Sequence, residues 1–571
     1  MNKVLKSKLL KILLVIILFC IAFTIRFYKV DTAPSGILID EASYGYNAYS
    51  ILKTGKDEFG IMLPLVFKAF GDQKLPLYTY LIVPFIKFFD LSLLAVRFPS
   101  VLAGSFLPIV IFYLLLELRF TKRVSFFGGI ITATSPWTIL LGRFGYESNI
   151  GLLFFSLGIL FAFMSLRKKD PIISILGGVC FGLTMYSYVA YRFVTPMVIL
   201  SFFLIKSTSN TFLIKTKLII TMAFILVIVP LTLILFAKES SVRLTQASLN
   251  YSNGLKMEVD ENRTYCSQKL PGILCYGTSN KALFMIRTYL YRYIDTFSPS
   301  YLFLSGDNTN KSFNVDNFGL FYVWLLPFYV LGILIIMSRI HNKRFTTIDA
   351  FVIIGLFISV TPSLMAGSPH ILRLTALFPF ILVVIASGLS LFEEYLKNVK
   401  MKNMGFIALY ILTFFSVLFF LILFLTVHIQ KYELAYRTYV PKLMKALGGY
   451  GVNKQIYIKS ITEGIIYYSF VNKVNPISYQ QHVVRNDPDS IGFIHSSNLS
   501  NIHIVGEDFN MFICNQIKKN MNVLYVSNEN VKEIPNEVKK IIYTENGVDT
   551  PAIIYDYSKI KEEHLQCETN K

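Results

Sequence analysis

The feature that most constrains this chain is a series of long apolar runs, joined by loops of which every second one is basic. The runs lie near 9–27, 93–118, 124–141, 148–166, 171–189, 193–206, 217–237, 318–338, 347–365, 372–391 and 404–427. About 20 apolar residues carry a helix across the hydrocarbon of a bilayer. Lipid offers no partners to backbone N–H and C=O groups, so such runs must be helical. The chain is expected to be an all-α polytopic membrane protein with about eleven transmembrane helices. Only 16% of its 571 residues are charged and 54% are hydrophobic, which excludes an ordinary soluble protein. The run 9–27 lacks a small-residue cleavage site and is followed by many like it. It reads as a retained first span, not a signal peptide.

The basic loops set the orientation. Lys3, Lys6, Lys8 and Lys11 precede the first run, and Arg119, Lys122 and Arg123 follow the second. Arg167 to Lys169, Lys206 to Lys217, Arg339 to Arg344 and Lys397 to Lys402 continue the alternation. Basic loops stay in the cytoplasm, so the N-terminus is expected inside. The same loops account for the net charge of +20, and the scatter of their charges argues against a nucleic-acid surface. Residues 76–90 are apolar and contain proline. Counted as a separate crossing, they would invert every later loop, so 76–118 is read as one broken descent, with 76–90 embedded against protein.

The outer face then collects loop 28–75, the turn at 142–147, loop 238–317 and everything after 428. The expected division is a membrane domain over 1–429 and a small extracytoplasmic α/β domain over 430–571. Short apolar strands are predicted there at 455–459, 491–495, 502–505, 522–526 and 552–556. The predicted location is the cell membrane, multi-pass.

Candidate chemistry gathers on that outer face. Asp40 and Glu41 follow the first span in a segment rich in tyrosine, where Tyr44 to Leu52 has the spacing of an interfacial amphipathic helix. Such a pair is often only a solvated juxtamembrane patch, yet a carboxylate held there can take a proton from a hydroxyl. Lys74 stands where the chain re-enters the membrane, either as a snorkelling anchor or as a cation for a lipid phosphate. Arg143 and Glu147 are four apart and could pair on a helix. They also sit at an outer span end, where Glu147 and Asp40 could divide acid and base roles or share a divalent cation. Arg192, His370 and Arg373 add cations there, and an arginine fork suits phosphate. Cys266 and Cys275 share loop 238–317, either as a disulfide or as two unlinked thiols.

At this point the chain resembles the GT-C glycosyltransferases of the dolichyl-phosphate-mannose–protein mannosyltransferase-like superfamily, which includes the lipid A aminoarabinose transferases. The resemblance rests on Asp40–Glu41 after the first span, LysLeuProLeuTyr at 74–78, AlaValArgPheProSer at 95–100 and ArgPheGlyTyrGluSerAsn at 143–149. TyrSerTyrValAlaTyrArg at 186–192, PheSerProSerTyrLeuPhe at 297–303 and GlySerProHisIleLeuArg at 367–373 extend it. Leu75 stands where relatives commonly have proline, and Glu147 where they often have aspartate. The resemblance implies a polyprenyl-monophosphate sugar donor, inverting transfer, Asp40 as general base, and Lys74 with arginines on the phosphate. Glu41 and Glu147 complete the acidic set, while Arg143, Arg192, His370 and Arg373 are the further phosphate candidates.

The function expected is transfer of a mannose-like hexose or a pentose to an acceptor hydroxyl on a glycan, lipid or protein. A flippase for a lipid-linked sugar would place ionisable residues near the bilayer centre, whereas these lie at span ends. A ligase of finished lipid-linked glycans is the other alternative. A divalent cation is the one cofactor considered, with Asp40 and Glu147 as its ligands. The partners expected are the lipid-linked sugar, its acceptor and membrane lipid.

Overall fold

The computed structural model describes residues 3–70, 73–204, 211–235, 253–308, 311–450, 453–459, 461, 463–488, 494–506, 522–528, 539–542 and 551–556. Among them are eight helices long and apolar enough to cross a membrane, from Leu9–Phe27 to Lys402–Lys431. Lys122–Thr134 and Pro136–Arg143 form a ninth candidate, bent by 51°. The bend has a local cause. Pro136 has no N–H to continue the first helix, and Ser135 caps the second by accepting from the Thr138 N–H. Pro171–Thr184 and Tyr191–Phe203 are shorter apolar helices. Each apolar run read from the sequence thus contains helix, although 185–189, 318–322 and 372–374 are turns or irregular, and the protein is a multi-pass membrane protein. The predicted break is present too: Pro76–Phe89 is a helix in its own right, and the next one starts at Leu93.

The chain divides into two compact units, and not at residue 429. One unit is 1–28 with 100–421; the other is 29–99 with 422–571. The segment 29–99 therefore clusters with the tail, because its polar and aromatic side chains find their partners there.

In the first unit the buried Arg26 ties the end of the first helix to the bent pair. Its guanidinium donates to the carbonyls of Ala22 (3.0 Å) and Ala133 (2.9 Å). Gly142 makes the room, since a Cβ there would lie 2.6 Å from the Arg26 side chain. Part of the predicted loop 238–317, residues 238–252, lies outside the described residues. Farther along, Cys266 and Cys275 join in a disulfide between helices Asn253–Ser267 and Gly272–Thr278.

The second unit is built on a seven-stranded mixed sheet. Its strands are β1 (Gln455–Ile458), β2 (Val483–Arg485), β3 (Ser496–Leu499), β4 (Ile502–Ile504), β5 (Val523–Ser527), β6 (Lys539–Ile542) and β7 (Ala552–Asp556), in the order β2-β3-β4-β1-β5-β7-β6. β1 pairs parallel with β4 and β5, with Ile456 opposite both Ile502 and Leu524. β5 and β7 are buried along their whole length, as central strands covered on both faces should be. The strand predicted at 491–495 lies one step later, at β3; residues 491–493 are outside the described set. Ile494 spends its N–H on the Phe70 carbonyl at 3.1 Å, so it is not part of the ladder.

Helix Gly464–Val471 packs against Ile39–Thr54. The approach is tight at Gly36, where a Cβ would lie 1.8 Å from the Tyr436 carbonyl oxygen. Residues Glu41 to Ala48 are all buried, so this helix is an interior element and not the interfacial one its spacing suggested. A buried acid reinforces the join. Glu58 accepts from Asn47 Nδ2 (2.8 Å) and from the Tyr479 hydroxyl (3.2 Å), and Arg485 donates to its carbonyl.

Candidate active site

Helix Ile39–Thr54 places two acids in its first turn, where the N-terminal end of the helix dipole favours negative charge. Their fates differ. Glu41 is fully buried and faces Arg97, also fully buried. Arg97 Nε donates to Oε1 at 2.7 Å and Nη2 to Oε2 at 3.0 Å, and the Leu38 N–H donates to Oε2. The other Arg97 donors go to the carbonyls of Val30, Pro34 and Gly36, which uses all five. Glu41, expected among the catalytic acids, is thus buried and engaged by Arg97 in this structure.

Asp40 points the other way. Its side chain is 39% exposed, and its Oδ1 pairs with Lys74 Nζ. Lys74 is held on three sides. Its backbone exchanges two hydrogen bonds with Phe67, and its ammonium lies 4.3 Å from the Tyr44 ring centroid and 4.9 Å from that of Phe70. Of all the predicted site residues, these two are the pair in direct contact within the second unit.

The tail adds groups that sequence reasoning missed. Glu463 precedes helix Gly464–Val471, and its Oε1 lies 2.5 Å from His495 Nδ1. Arg437 donates to the Tyr467 hydroxyl at 2.7 Å. Burial pushes the Glu463 carboxyl above the ordinary range, against the opposing effects of His495, Arg437 and Lys74. Burial likewise raises Tyr467; the Arg437 charge counters this and the Asp40 charge adds to it. Asp40, Lys74, Arg437, Glu463, His495 and Tyr467 therefore form one electrostatic neighbourhood. No local motif marks the tail members; the pairing of tail and loop alone reveals them.

The remaining predicted residues belong to the first unit. Arg143 is buried and donates to the carbonyls of Ile25 (2.9 Å) and Tyr28 (2.9 Å). Expected as a phosphate ligand, it here ties down the end of the first helix. Glu147 opens helix Glu147–Lys168 and is half-buried. Arg192 is half-buried near the start of helix Tyr191–Leu204. His370 and Arg373 share the turn after helix Thr347–Met365. The His370 ring packs on Phe313, 5.3 Å between centroids, and burial lowers its pKa. Buried Asp307, another residue sequence reasoning missed, accepts from the Ile371 N–H at 3.3 Å and acts on His370 through its charge. Among the described residues no group of three or more His, Cys, Asp or Glu side chains is placed to hold a metal ion.

Residues 73–234 match the family described as dolichyl-phosphate-mannose-protein mannosyltransferase. No curated protein sequence matches the chain. Among solved structures, ArnT from Cupriavidus metallidurans in the apo state is similar at 10% identity and TM-score 0.50, over 97% of this chain and 98% of that one. The oligosaccharyltransferase of Archaeoglobus fulgidus, tethered to an acceptor peptide, is similar at 11% identity and TM-score 0.51, over 91% and 69%. The oligosaccharyltransferase AglB of Archaeoglobus fulgidus, in complex with an inhibitory peptide and a dolichol-phosphate, gives 12% and 0.50, over 81% of this chain but only 64% of its own length. The chain thus shares the GT-C fold of these solved structures, and its similarity to the mannosyltransferase family extends over residues 73–234.

Proposed function

We propose that the protein is an integral-membrane, inverting glycosyltransferase. It moves a mannose-like hexose or a pentose from a polyprenyl-phosphate donor to an acceptor hydroxyl at the outer membrane face. The observation that carries this reading is the Asp40–Lys74 pair: an open carboxylate and a fixed cation beside the start of an apolar helix. The family segment and the dolichol-phosphate held by the archaeal neighbour support the donor class.

The chemistry follows from the two charges. Asp40 accepts the proton of the acceptor hydroxyl as its oxygen attacks the anomeric carbon. The bond from that carbon to the phosphate oxygen breaks on the opposite face, which inverts the configuration. The electron pair leaves with the polyprenyl phosphate, whose charge Lys74 stabilises. No acid is needed for so good a leaving group. Alignment of the two substrates supplies much of the remaining acceleration.

Incubating purified protein with radiolabelled polyprenyl-phosphate hexoses and pentoses, and with a polyprenyl-diphosphate glycan, tests this. Transfer from a monophosphate donor that disappears in Asp40→Asn is the expected result. Transfer from the diphosphate glycan alone would make the protein a ligase instead, and no transfer from any donor would overturn the enzyme reading.

A further inference from the structure

We propose that Arg437, from the tail, joins Lys74 as a second cation on the donor's phosphate, with Tyr467 as the residue that positions it. The inference rests on the donor reading above and adds to it a residue outside the membrane part.

Three observations carry it. The first is level. Lys74 lies two residues before the apolar helix Pro76–Phe89, and Arg437 lies six residues after the apolar helix Lys402–Lys431 ends. Residues that flank apolar helices sit at the headgroup layer, where a polyprenyl phosphate carries its charge. The second is convergence. Asp40, bonded to Lys74, acts on the Tyr467 hydroxyl, the same hydroxyl that accepts from Arg437 at 2.7 Å. The backbone on both sides of Arg437 lies against Gly36, four residues before Asp40: a Cβ there would meet the Tyr436 oxygen at 1.8 Å and the Thr438 nitrogen at 2.9 Å. The charges of Lys74 and Arg437 also both act on Glu463, so the two cations share one neighbourhood with Asp40. The third is the state of the arginine. Arg437 is half-buried, and the bond to Tyr467 takes one of its five N–H donors. Its backbone takes a left-handed φ of 55° as the cap that ends the short helix Glu433–Tyr436.

The arrangement has a chemical logic. Lys74 is spent on Asp40 in the free protein. A second cation lets the phosphate bind without taking Lys74 from the base. A planar fork also grips two phosphate oxygens at once, which a single ammonium cannot do. The tail would then be part of the catalytic centre and not an appendage.

Binding of farnesyl phosphate to the full-length protein in detergent micelles tests the proposal, with thermal unfolding of each variant recorded alongside. Losing a charge-assisted contact weakens binding by about 10-fold or more, so Arg437→Met should raise Kd by at least that factor without lowering the melting temperature. Arg437→Lys keeps the charge but not the fork and should fall between the two. Tyr467→Phe should raise the donor KM while kcat holds. Lys445→Met, which removes an exposed charge elsewhere in the tail, should bind as wild type does. Farnesyl phosphate bound equally by wild type, Arg437→Met and Arg437→Lys overturns the role of Arg437 and leaves the donor reading standing. A wild-type protein that binds no farnesyl phosphate overturns both. If Arg437→Met is too unstable to purify, Arg437→Lys decides alone.

Discussion

Arg97 and Glu41 meet in the interior of the second unit, with Nε 2.7 Å from Oε1 and both side chains fully buried. Arg97 also donates to the carbonyls of Val30, Pro34 and Gly36, so it fixes the loop that delivers Asp40. Breaking a buried pair from one side leaves the other charge stranded, at a cost of about 3–5 kcal/mol. Arg97→Met should therefore lower the melting temperature and the yield of folded protein, and Glu41→Gln should do so less. A variant Arg97→Met with wild-type stability would mean that the pair holds nothing in place.

Lys74 pairs with Asp40, and under the proposed function its charge also bears on the donor's phosphate. Lys74→Met keeps the length of the side chain and its packing between Tyr44 and Phe70. Donor affinity should fall by about 10-fold, as expected for one lost charge-assisted contact, with unfolding little changed. Donor titrations that superimpose for the two proteins would reduce Lys74 to a support for Asp40.

Glu58 predicts a pH dependence of stability. Burial raises its pKa; Arg485, Asn47 and Tyr479 pull it back, and Asp57 adds to the rise. A carboxyl with a raised folded pKa binds more protons folded than unfolded. Its contribution is complete below the unfolded value, near 4.3, and is lost as pH climbs through the folded value. Wild-type melting temperature should accordingly decline over that interval. Glu58→Gln, which keeps the shape and an acceptor for Asn47, should flatten the decline. Parallel curves for the two proteins would assign the dependence to another group.

Much of this was readable in the chain, for definite reasons. Apolar runs announce helices because lipid leaves the backbone no alternative. Asp40 and Lys74 stood out as charges at the ends of such runs. The sequence did not say that Glu41 would turn inward, since its partner lies 56 positions away. Arg143 looked like an outward cation because a buried arginine and an exposed one are written alike. β2 and β6 escaped notice because edge strands such as ValValArg and LysLysIleIle are short and part polar. Arg437, Glu463 and His495 were hidden for a deeper reason: their role depends on the tail folding onto loop 29–99, a long-range pairing no local pattern encodes.

The alternation of basic loops predicts which face each loop meets. Single cysteines at Lys343 and at Ser500, in a background stripped of native free thiols, report on it. A membrane-impermeant maleimide added to intact cells should label Ser500→Cys and not Lys343→Cys. The opposite pattern would place Asp40 on the cytoplasmic side and require a donor presented there.

Asp40 carries the sharpest prediction. Its neighbour Glu41 is closed off by Arg97, so the first turn offers one open carboxylate, not two. Asp40→Asn preserves the shape and an oxygen for Lys74, but an amide cannot take a proton from the acceptor. Loss of a general base costs about 10²–10⁴-fold in rate. Turnover should fall by that order, while donor binding and melting temperature stay near wild type because the side chain is part-exposed and outside the packed interior. Glu41→Gln should show the reverse, with stability lost first and activity falling only with it. The two variants differ by a single position and the same chemical change, so any general effect of removing negative charge appears in both. A purified Asp40→Asn protein that transfers sugar at the wild-type rate would remove Asp40 from the mechanism. Glu147, half-buried at the start of its own helix in the other unit, would then be the carboxylate to replace next.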